Sequence, residues 1–212
     1  MIASIKRIQD QRRRRKLGVA EDYIAAYPLP ASIAAKVRLW NPELTDADWR
    51  LVEQGLREWL ICCAWRETHK LGMPSRVVDD AWHQFMLSSI AYSEFCERAF
   101  GEYLHHTPEA DMEWIADDLL ENTVRAWDRS CAAQRGESVL WDLDSRLGIR
   151  YPLGIDPGRL LAIRTRHHPM SGSTGWGDGP VFFGDGGGHD GGECNTSLSC
   201  GGGCGGGCGG GG

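Results

Sequence analysis

The stretch 45-TDADWRLVEQGLREWLICC-63 carries both the start signal of a helix and the face it would bury. Thr45 stands where an N-cap belongs, and Asp48 follows at the spacing of a reciprocal cap. From there Trp49, Val52, Leu56, Trp59, Leu60 and Cys63 recur every three or four residues, the stripe of an amphipathic helix. The pattern predicts a helix reaching about His69, stopped by Gly72 and Pro74 in the order that ends helices.

The same reading extends in both directions. Val78, Ala81, Trp82 and Phe85 predict a helix over 75–88, and Tyr92, Phe95, Cys96 and Ala99 predict another that stops at Gly101. Thr107 and Pro108 are a cap and a first-turn proline. They open a long pattern (Met112, Ile115, Leu119, Thr123, Ala126, Trp127, Cys131) that ends near Gly136. Shorter helices are expected over 2–16, 21–27 and 31–39, with a further turn or two over 141–147. Strand alternation is absent apart from ambiguous short runs at 102–105 and 150–153. The expected fold is therefore all-α, a compact multi-helix domain over 17–165.

Two appendages flank that domain. Residues 1–16 hold seven Lys or Arg against Asp10, a basic helical arm of net charge +6 on a chain whose total is −6. Residues 166–212 are expected to be a disordered Gly/Cys-rich tail: 20 of the 28 glycines fall after Met170, and glycine loses too much backbone entropy to form a packed core. A basic arm on an acidic body argues against a general nucleic-acid surface, which needs a whole basic face. The arm or the tail is a natural contact for a protein partner. No apolar run approaches the roughly 18 residues of a membrane span. Leu17–Pro30 carries Glu21 and Asp22 where an export signal needs an apolar core, so a cytoplasmic location is expected.

The eight cysteines do not read as a disulfide scaffold. Cys62, Cys63, Cys96 and Cys131 fall inside helical patterns, and reduced thiols are the default in the cytosol. Cys194, Cys200, Cys204 and Cys208 lie in the glycine tail, where thiolates could take a soft ion such as Zn²⁺ or Cu⁺.

The densest set of potential ligands runs from Asp79 to His106. Asp79 and His83 are one helical turn apart and share a face. They can ligate one ion together, or Asp79 can orient the imidazole as a structural partner. His105, His106 and, more weakly, Cys96 are the nearest additional donors, and Zn²⁺ or Fe²⁺ suits such a set. His105 and His106 face opposite ways on an extended segment, so only one can join the site. If the helices over 75–88 and 90–100 return antiparallel, that histidine arrives within about 5 Å of the His83 ring. No phosphate loop, His-Glu-x-x-His motif or nucleophile elbow is present in the sequence.

Val78-Asp79-Asp80-Ala81-Trp82-His83, followed by Tyr92, Phe95-Cys96, Phe100-Gly101 and His105-His106-Thr107-Pro108, resembles the glycine-rich domain protein family described mainly from plants. Leu140 to Asp144 and Leu147-Gly148-Ile149 look like a bacterial-type extension of that pattern. The resemblance covers 45–150 and implies that Asp79, Trp82, His83, Cys96 and His106 form a site, with Tyr92 and Gly101 in the motif around it. It brings no established reaction. An RNA role found with some plant members does not carry over, because this chain has no aromatic RNP-like sequence. The expected function is a binding or interaction protein with a His/Asp metal site. The alternatives are a Zn- or Fe-dependent enzyme using His83 with His105 or His106, and a structural adaptor without metal.

Overall fold

A computed structural model describes residues 2–67, 70–106 and 116–167. Eight α-helices make up its regular structure, with two short 3₁₀ turns and no strand among the described residues. They are α1 (Ile2–Ala26), α2 (Ala31–Trp40), α3 (Asp46–Trp65), α4 (Arg76–Leu87), α5 (Ser89–Phe100), α6 (Ala116–Asp128), α7 (Leu143–Arg146) and α8 (Pro157–His167). None of them is long and apolar enough to cross a membrane.

Helix α3 lies at the centre, packed against α1, α4 and α6. Its start is the reciprocal cap read from the sequence: Asp48 N–H donates to Thr45 Oγ1 at 3.2 Å, and Thr45 N–H donates to Asp48 Oδ2 at 2.9 Å. Val52, Leu56, Trp59, Leu60 and Cys63 are buried, as the stripe requires, and Trp49 packs at its edge. Gly55 permits the closest approach. A Cβ there would meet Val78 Cγ2 at 2.9 Å and Leu143 Cδ2 at 3.0 Å, so α4 and α7 press directly on the α3 backbone.

Several readings differ from expectation. The long pattern through Cys131 does not run as one helix to near Gly136: α6 stops at Asp128, where Ser130 N–H donates to the Trp127 carbonyl, and a 3₁₀ turn follows at Ala132–Gln134. Helix α3 ends at Trp65, not near His69, because Arg66 turns to an extended conformation and its guanidinium takes the Cys63 carbonyl. Helix α1 is continuous through Lys16, where two separate helices were expected. Its second half is held by tertiary contacts: buried Glu21 accepts from Trp65 Nε1 and Cys131 N–H, both at 3.0 Å, and from Arg135 at 2.7 Å. Helix α8 was not anticipated from periodicity. Asp156 caps it, accepting from Arg159 N–H at 3.1 Å, and Ile163 is buried in the core. The ambiguous runs at 102–105 and 150–153 are coil, without strand pairing.

The start of the long pattern from Thr107 and the glycine tail lie outside the described residues. Cys62, Cys63 and Cys96 are free and buried. Cys131 is in a disulfide, a departure from the reduced thiols expected.

Candidate metal centre

Helix α4 supplies two of the three groups. Ser75 caps it, with Val78 N–H donating to Ser75 Oγ at 3.3 Å. Val77, Val78, Ala81, Trp82 and Phe85 face the core, which leaves Asp79 and His83 along the edge of the buried stripe. Their side chains are 31% and 43% exposed, so any ion held there would keep contact with solvent.

The third group arrives after α5. Gly101 ends that helix at φ 74°, and its N–H donates to Cys96 and Glu97 carbonyls at 3.2 and 3.0 Å. This left-handed stop turns the chain back along α4. His106 then packs with its ring centroid 4.1 Å from that of His83 and 4.9 Å from that of Trp82. His106 Nε2 is 3.3 Å from Asp79 Oδ1.

Asp79, His83 and His106 each offer a ligand atom, and all three atoms lie within 4.8 Å of one another. Two ligands held about 2 Å from a tetrahedral ion are roughly 3.3 Å apart. The Asp79–His106 edge already has that length at 3.3 Å, whereas an edge of 4.8 Å would have to close by small side-chain rotations. His83 Nδ1 is 2.8 Å from the Asp79 carbonyl oxygen. When Nδ1 carries the proton it donates to that carbonyl, and Nε2 keeps the lone pair a metal needs. Asp80, next along α4, is held above the usual carboxylate range by burial and by the adjacent Asp79.

The remaining candidates fall elsewhere. His105 is exposed and its ring lies tilted against that of Tyr103, centroids 4.8 Å apart, away from the His83–His106 contact. Cys96 is buried in the core outside the Asp79–His83–His106 set, and burial raises its thiol pKa. Burial likewise pushes the Cys63 thiol up to about 12. Cys194, Cys200, Cys204 and Cys208 lie outside the described residues.

The motif residues between these candidate groups form one hydrogen-bonded chain. Trp82 Nε1–H donates to the Tyr92 hydroxyl at 3.0 Å, and that hydroxyl donates to the Leu104 carbonyl at 2.7 Å. Sequence reading singled out Trp82 and Tyr92 but missed Leu104, an apolar residue that acts through its backbone oxygen. It also missed Asp144, a fully buried carboxylate that accepts from Ser75 Oγ and Arg76 N–H, each at 2.7 Å, at the start of α4. The available signal was Asp144 placed next to Leu143 in the short amphipathic stretch from Leu140 to Leu147.

The family model described as UCP032817-like matches residues 19–153 of the chain. No curated protein and no solved structure matches it.

Proposed function

The chain belongs to the UCP032817-like family, whose description names no activity, and from the geometry we propose a helical metal-binding protein. One divalent ion, Zn²⁺ or Fe²⁺, is held by Asp79, His83 and His106. The observation that carries this reading is the convergence of three ligand atoms within 4.8 Å from two parts of the chain, one turn of α4 and the segment after α5. Two imidazoles and a carboxylate suit either ion and leave positions open for water or a further ligand. Kinship with the glycine-rich domain proteins is part of the proposal, resting on the motif from Val78 to Pro108.

The exposure of His83 and Asp79 favours a second reading, a metal-dependent enzyme, because a reactant could reach the open positions. Protein partners are proposed for the basic arm, whose residues 5–16 are all exposed, and for the tail. A cytosolic location is proposed on the buried free thiols Cys62, Cys63 and Cys96.

Elemental analysis of the purified full-length chain tests the reading. Zinc or iron near one ion per chain is expected, retained when Cys194, Cys200, Cys204 and Cys208 are replaced by Ser and lost in His83→Ala or His106→Ala. Metal that leaves with the tail thiols and ignores His83 would place the ion on the tail instead.

A further inference from the structure

His106 belongs to no helix, so something must hold it opposite Asp79 and His83. It sits in the coil that follows Gly101, where no backbone–backbone hydrogen bond joins 102–106 to another residue among the described residues. The ring contacts with His83 and Trp82 are lateral, and the approach to Asp79 Oδ1 is a single contact at 3.3 Å. Arg66 holds the start of the coil at Glu102; two residues before His106, the Leu104 backbone bonds the Cys96 thiol, and its carbonyl accepts from the Tyr92 hydroxyl of α5 at 2.7 Å.

Packing alone does not require that hydroxyl. The Tyr92 ring is fully buried, edge-on to Phe85 at 5.0 Å and to Tyr103 at 5.3 Å, contacts that a phenylalanine would keep. The oxygen adds a three-way junction. It accepts from Trp82 on α4, belongs to α5, and donates to the coil that delivers His106. Burial raises the phenol pKa far above neutrality, so the hydroxyl keeps the proton it donates.

We propose that Tyr92 is a positioning residue of the metal centre, its hydroxyl locking the coil 104–106 so that His106 faces Asp79 and His83. The proposal rests on the metal-binding reading, and the partners that orient metal ligands commonly matter as much as this: their loss costs about 10–100-fold in affinity.

The test is Tyr92→Phe in the full-length chain, titrated with Co²⁺ and with Zn²⁺ in competition with a chelator. The dissociation constant is expected to rise at least about tenfold. Tyr103→Phe, altered in the same coil but outside the junction, is expected to bind as the wild type does. Ile163→Ala on α8 matches the loss of stability at a remote place and is also expected to keep wild-type affinity. Wild-type affinity in Tyr92→Phe would overturn the proposal, as would equal loss in Ile163→Ala.

Should Tyr92→Phe fail to fold, hydrogen exchange in the wild type decides. Saturation with Zn²⁺ should slow exchange of the Trp82 indole proton and leave that of Trp65, bonded to Glu21, unchanged; an unaffected Trp82 proton would overturn the idea. If the wild type binds neither ion, the metal reading fails separately. The positioning role is then read from the ring-proton Overhauser contact between His83 and His106, which Tyr92→Phe should abolish. Its persistence in the variant would overturn the proposal.

Discussion

Asp144 Oδ1 accepts a hydrogen bond from Ser75 Oγ at 2.7 Å, across 69 residues of chain. The second oxygen accepts from Arg76 N–H at 2.7 Å and from Leu153 N–H at 2.9 Å. One buried carboxylate therefore caps α4, where the helix dipole favours negative charge, and pins the return of the chain at Leu153. Asp79 and His83 lie on that helix, so the registration of the site depends on a residue far from it in sequence.

Asp144→Ala should cost about 3 kcal/mol, because it leaves several buried donors without an acceptor. For a chain of this size the melting temperature should fall by about 6–12 °C. Asp144→Asn, whose carbonyl oxygen still accepts, should lose less. Thermal unfolding followed by circular dichroism gives the comparison, and equal melting of all three proteins would refute the capping role.

Gly55 is where α3 meets α4 and α7 without a side chain between them. Gly55→Val should destabilise by about 2–3 kcal/mol, since the added methyls would overlap Val78 and Leu143. Urea denaturation measures this. A variant as stable as the wild type would mean that the helices separate freely.

Glu58 gives a pH signature. It is buried, accepts from Ser138 Oγ at 2.7 Å, Val139 N–H and Gln54 Nε2 at 2.8 Å, and has its pKa raised by burial against those hydrogen bonds. A raised folded-state pKa means that the protonated form is favoured by folding. The penalty is absent below the unfolded pKa and grows as pH rises through the folded one. Relative to Glu58→Gln, the wild type should lose stability between about pH 4.5 and neutrality. Paired denaturation curves at pH 4 and pH 7 test it, and a constant difference between the two proteins would contradict it.

His105 and His106 are adjacent but point to different neighbours, Tyr103 and His83. His105→Ala should bind Zn²⁺ as the wild type does, and His106→Ala should bind it at least about tenfold more weakly. At a free ion concentration 100 times the dissociation constant, binding should add about 2.7 kcal/mol of stability to the wild type. A thermal-shift titration reads both effects. Similar shifts in the two variants would remove His106 from the ligand set.

Sequence alone established the helical class and the approximate position of most helices, because those signals are local. The Thr45–Asp48 cap, the α3 stripe and the Gly101 stop each depend on residues within a turn or two of one another, and each forms as read. The pairing of Asp79 with His83 was legible for the same reason, as residues four apart on a helix must share a face.

The third member of the candidate set needed the tertiary structure. Alternation showed that His105 and His106 oppose each other, but only the packing of α5 on α4 and the tie from Tyr92 to Leu104 decide which one turns inward. The continuity of α1 was equally hidden. Nothing near Leu17 marks it, and it is held by Glu21 bonding to Trp65, Cys131 and Arg135, as distant as 114 residues in sequence. Helical periodicity reports a residue's neighbours along one axis, whereas a buried carboxylate or hydroxyl acts on whatever the fold brings to it.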